Sequence, residues 1–146
     1  MNAEPLPRHL ALVCAGKAAG LDTEGRRRAL TAAGKLALSR WSWIATAGSA
    51  AAEQTARAIA VEFPYAPVLG FDPSGAEAPE ALQELLDKHH GDGVIVSCED
   101  VLSGVVVENC RLESARLESG AVVILRQIAA GWEVARGATF GLAVPT

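Results

Sequence analysis

The chain has 146 residues, half of them hydrophobic, with 13 Lys and Arg against 17 Asp and Glu for a net charge of −4. That length predicts one compact domain over residues 1–146, and the scattered basic residues, clustered only at Arg26, Arg27 and Arg28, exclude a broad nucleic-acid-binding face. The apolar runs fall far short of the roughly 20 residues that cross a bilayer. The 3 cysteines lack C-x-x-C spacing and no charged and apolar leader precedes them, which predicts reduced thiols and a cytoplasmic location.

Residues 9–13 are a short apolar run broken by Gly16 and Gly20, which predicts a buried first strand and a loop. Thr31 precedes Ala-Ala-Gly-Lys-Leu-Ala-Leu and can accept from the free amides of a helix start, so a helix is predicted with Thr31 as its N-cap, running to about Trp41. Residues 43–46 read as a second strand. Gly48 and Ser49 punctuate it before a helix over 50–63, with Ala52, Ala56, Ile59, Ala60 and Phe63 on one stripe.

Pro64 and Pro67 frame a brief strand at Val68 and Leu69, and Pro79 opens a helix to about His89. Gly91 and Gly93 end that helix, residues 94–97 form the most strand-like run in mid-chain, and 100–109 returns to helical spacing. Residues 120–128 and 132–138, joined by Ala-Ala-Gly, predict a closing antiparallel hairpin.

Strands alternating with helices predict an α/β fold: a three-layer α/β/α sandwich around a mostly parallel sheet with an antiparallel C-terminal hairpin edge. Ligands of such sheets collect beyond the carboxyl ends of the strands. The candidate functional segments are therefore residues 14–17, 46–54 and 97–100.

Four features then fall into one frame. Asp22 is followed by Arg28-Ala29-Leu30-Thr31-Ala32-Ala33-Gly34. Thr46-Ala47-Gly48 precedes Ala51 and Gln54-Thr55-Ala56. The apolar Val94-Ile95-Val96 runs into Ser97-Cys98-Glu99-Asp100, and residues 117–125 make a closing strand. Together these resemble the histidine phosphatase superfamily, specifically the short bacterial phosphohistidine phosphatases of the SixA type, and the resemblance implies a phosphoglycerate mutase-like fold.

The resemblance also implies what has been replaced. The family's first arginine corresponds to Cys14, its nucleophilic histidine to Ala15, which is followed by Gly16, its second arginine to Ala51, and its second histidine to Cys98, which is followed by Glu99. Ala15 has no lone pair to attack phosphorus. Loss of two guanidinium groups removes charge-assisted hydrogen bonds worth roughly 1.5–3 kcal/mol each, so a small anionic ligand is expected to bind weakly.

The expectation is thus a catalytically inactive pseudophosphatase with no catalytic residue, no cofactor and no metal, serving as a binding or regulatory module for another protein or a second copy of itself. The alternative is a phosphohistidine or small phosphomonoester phosphatase with an altered, cysteine-dependent centre. Cys14 has Lys17 nearby to favour a thiolate; Cys98 has the start of a helix, opposed by Glu99 and Asp100. The implied strand tips put both thiols toward one pocket, and Lys17 and Arg28 are the basic groups left at its rim. His89 and His90 point apart on a helix and suggest no metal, while Trp41 and Trp43 suit either a partner patch or a cap on the core.

Overall fold

β1, His9–Cys14, is buried from Leu10 onward because it runs through the middle of a seven-stranded sheet, paired on both edges. The computed structural model describes residues 8–15, 27, 31, 34, 36, 40–46, 50–70, 78–112, 114–129, 131–135 and 140–143. After β1 come β2 (Trp43–Thr46), α1 (Ala50–Glu62), β3 (Val68–Gly70), α2 (Ala78–Lys88), β4 (Gly93–Ser97) and α3 (Glu99–Cys110). Three further strands follow: β5 (Arg116–Ile128), β6 (Gly131–Val134) and β7 (Phe140–Ala143).

The strand order is β3-β2-β4-β1-β5-β6, with β7 also on β5. β1 and β4, β2 and β4, and β2 and β3 pair in parallel, whereas β5 is antiparallel to β1, β6 and β7. The α/β class is as expected. The antiparallel side is larger than a hairpin, because β5 starts at Arg116, bends at a register shift between Leu117 and Val122 around Gly120 at φ 86°, and gains β7. β6 ends at Val134, short of the predicted 138.

Alternation along the strands divides the core. On one face Ala11, Val13, Ile44, Val94 and Val96 pack under α1, whose inward residues Ala51, Ala52, Ala56 and Ile59 are mostly small and let the helix approach closely. On the other face Leu10, Leu12, Trp43 and Ile95 meet α2 and α3. α2 buries Leu82, Leu85 and Leu86 at helical spacing, each worth roughly 1.5–3 kcal/mol. Its solvent side carries the i,i+4 pairs Gln83–Asp87 and Glu84–Lys88.

Thr31 is not the N-cap predicted for it. Arg27 is already helical, and the Thr31 hydroxyl donates to the Arg27 carbonyl at 2.9 Å, the bond of a residue inside a helix; Arg40 and Trp41 lie outside it. Trp41 instead turns its indole N–H onto the Leu36 carbonyl at 3.0 Å, a core role rather than a partner patch.

Two contacts tie the helix layer to the sheet's amino edge. Arg8 donates to the carbonyls of Gly91 at 2.7 Å, Leu86 at 3.0 Å and His89, closing the carboxyl end of α2 from 78 or more residues away. Gly93 lies under the Trp43 indole, where a Cβ would stand 2.1 Å from ring carbons.

Candidate functional site

The parallel register makes the tips of β1, β2 and β4 level: Cys14 is opposite Ser97, and Thr46 opposite Val96. Beyond them the Ala15 amide donates to the Ser97 carbonyl at 2.8 Å, so the first turn after β1 stays attached to β4. This is the crevice at the carboxyl edge where an α/β sheet presents ligands.

Ala15 and Ala51, the positions assigned to the missing imidazole and a missing guanidinium, are brought together in the apolar cluster under α1, 4% and 0% exposed. Val96 shares that face, and Cys98 directly follows Ser97 at the carboxyl end of β4, with extended φ −87° and ψ 168°. Thr46 belongs to the same face, and its Oγ1 is buried without a hydrogen-bond partner.

Cys14 takes the face of the sheet opposite Ala15. Its side chain enters the other core cluster, beside α2 and α3, together with Ser97, whose buried Oγ also lacks a partner. Burial first, then the charge of Glu99 and the neighbouring Cys98, pushes the Cys14 thiol up to about 12. A thiol buried and held neutral in this way is a poor nucleophile. Gly16, Lys17 and Arg28 lie outside the described residues.

Cys98 is half-buried and stands at the N-cap of α3 without a side-chain capping bond; its carbonyl accepts from the Leu102 amide at 3.1 Å, and Glu99 and Asp100 form the first turn. Glu99 is half-buried beside it. Among the described residues no three His, Cys, Asp or Glu side chains gather as a metal site requires. No helix among them is long and apolar enough to cross a membrane.

A cleft of about 670 Å³ opens between the outer flank of α1 and the edge strand β3, bounded by Thr46, Glu53, Arg57, Val68 and Gly70. Nothing in the sequence marks it, since its walls come from three elements and its lining is ordinary. Exposed Glu53 and Arg57, four residues apart and paired at 2.6 Å, are its one legible trace.

With this geometry in place, the chain shares its α/β fold with solved phosphatases and a phosphoglycerate mutase. Among the similar solved structures, YhfR of Bacillus stearothermophilus matches with a TM-score of 0.74 and 16% identity over 90% of this chain and 97% of its own. SixA of Agrobacterium tumefaciens, described as a phosphohistidine phosphatase, matches with a TM-score of 0.71 and 16% identity over 97% of this chain and all of its own, 100%. The phosphoglycerate mutase of Plasmodium falciparum matches with a TM-score of 0.68 and 20% identity over 97% and 96%. At the level of sequence, no family model and no curated protein matches the chain.

These comparisons correct the expectation of a catalytically inactive binding module. The structures that share this frame are phosphatases and a mutase, and nothing among them supports inactivity. Alanine at position 15 closes one route, attack by an imidazole at that tip. It does not remove the crevice at the carboxyl edge.

Proposed function

We propose that the chain is a phosphatase for a phosphohistidine-type phosphoramidate or a small phosphomonoester, working through an altered centre whose nucleophile is Cys98. The observation that carries this reading is the position of that residue: half-buried at the carboxyl edge, directly after β4 and ahead of a 12-residue helix. The amides that open α3 suit a phosphate, because a helix start offers unpaired N–H donors and a partial positive charge. The phosphohistidine phosphatase among the similar structures supports the substrate class.

In this reading the Cys98 thiolate attacks phosphorus. An S–P bond forms as the P–O or P–N bond breaks, and the leaving oxygen or nitrogen takes a proton from water. A second water then attacks phosphorus and breaks the S–P bond, releasing orthophosphate and restoring the thiolate. A cytoplasmic location goes with this chemistry, since the thiol must stay reduced.

The test is turnover of phosphoramidate and an aryl phosphate by purified protein, alongside Cys98→Ala, Cys98→Ser and Cys14→Ala. Turnover is expected in the parent chain and in Cys14→Ala, and is expected to be lost in both Cys98 variants. Absence of turnover in the parent chain, or its survival in Cys98→Ala, defeats the proposal.

A further inference from the structure

The cleft beside α1 meets the crevice at the strand tips, and Thr46 belongs to both. Strand order and register fix the relation. β3, β2 and β4 are consecutive in the sheet, and Gly70, Thr46 and Val96 stand level across them. The cleft mouth at Thr46 and Gly70 is therefore one to two strand spacings, about 5–10 Å, from the end of β4, where Cys98 follows. A phosphoryl group at the start of α3 has room there for a leaving group of one ring, directed toward β3.

The lining selects what fits. Val68 pairs with Ile44 and Gly70 with Thr46, so both turn to the α1 side of the sheet, where Val68, 44% exposed, makes an apolar wall. A Cβ on Gly70 would meet nothing within 4 Å, which keeps the mouth open. Among the described residues the charged groups of the lining are Glu53 and Arg57, paired at 2.6 Å, so α1 offers a flat guanidinium without net charge. The buried Oγ1 of Thr46 lacks a hydrogen-bond partner, a deficit that a polar atom of an incoming group relieves. These surfaces suit a small uncharged ring; an anionic one meets the Glu53 carboxylate.

We propose that this cleft is the leaving-group subsite of the phosphatase, taking a compact, uncharged ring such as a phenyl or a neutral imidazole. The inference rests on the phosphatase reading, and Thr46 is the residue that joins the two sites.

Steady-state kinetics of the full chain with phenyl phosphate, 4-carboxyphenyl phosphate and phosphoramidate test it, because the ammonia leaving phosphoramidate is too small to occupy the cleft. Gly70→Trp fills the mouth, and the ratio of kcat/KM for phenyl phosphate to that for phosphoramidate is expected to fall by about tenfold or more. Glu53→Gln leaves Arg57 without its carboxylate, and preference is expected to move several-fold toward 4-carboxyphenyl phosphate. Both positions are exposed, and unchanged thermal melts verify that the variants fold. A ratio unchanged in Gly70→Trp, a parent chain that prefers the carboxylated substrate, or a preference unmoved in Glu53→Gln overturns the proposal. Binding separates this outcome from failure of the catalytic reading. In Cys98→Ala, millimolar phenyl phosphate is expected to shift the amide resonances of Val68 and Leu69, and adding Gly70→Trp is expected to abolish the shift. Absence of the shift overturns the subsite whether or not the parent turns over substrate, whereas a shift beside a parent without turnover defeats the phosphatase reading and leaves the cleft as a binding site for the ring.

Discussion

Cys14 ends β1 buried at 3% exposure in the core beside α2 and α3, whereas Cys98, one residue beyond its register partner Ser97, caps α3 and is half-buried. With iodoacetamide at pH 8, Cys98 is expected to be alkylated well ahead of Cys14, which stays protected until the chain unfolds. Peptide mass spectrometry reads the order of labelling, and a Cys14 alkylated as fast as Cys98 would contradict its burial.

The raised thiols make alkaline stability a second test. Burial holds Cys14 protonated to about 12 and Cys110 to about 11, while an unfolded thiol releases its proton near 9. Above pH 9 the unfolded chain therefore binds fewer protons than the folded one. Stability is full below that pH and falls as pH rises toward 11 and 12, by up to about 1.4 kcal/mol per pH unit for buried Cys14 and by less for half-buried Cys110, where solvent screens the charge. Cys14→Ala is expected to flatten the slope of urea-unfolding free energy between pH 9 and pH 11. An unchanged slope would show that Cys14 is not the source.

Gly93 is required by a close approach and not by its backbone angles. Gly93→Ala places a methyl 2.1 Å from the Trp43 ring, and since Trp43 is 2% exposed and fixed between β2 and the helix layer, the loss is expected to be about 3 kcal/mol. Trp43→Leu alone also destabilises, but in that background the added cost of Gly93→Ala should shrink. The coupling in a double-mutant cycle by urea unfolding is the measurement.

Arg8 closes α2 through three carbonyls that a single planar guanidinium can reach at once. Arg8→Ala is expected to cost about 1–2 kcal/mol, less than three buried charge-assisted bonds because part of the site is exposed. Arg8→Lys should recover only a fraction, since an ammonium cannot span the three acceptors. Hydrogen exchange at the end of α2 should rise in both variants, and full recovery with lysine would refute the fork geometry.

The sequence by itself determined the local elements and the identity of the frame. Period-two and period-3.6 patterns are set by neighbours along the chain, so β2 and α1 emerge within a residue of their observed limits. The spaced groups from Asp22 to Glu99 identified the fold although no single motif is specific. Pairing between distant segments was left to the tertiary structure: the bent β5 with β7 on its outer edge, the reach of Arg8 to α2, and the cleft beside β3. The tertiary structure also decided where Cys14 points. A linear pattern assigns it to a strand tip, but only the pairing and packing of β1 decide which face its side chain takes, and a shift of one residue reverses the answer.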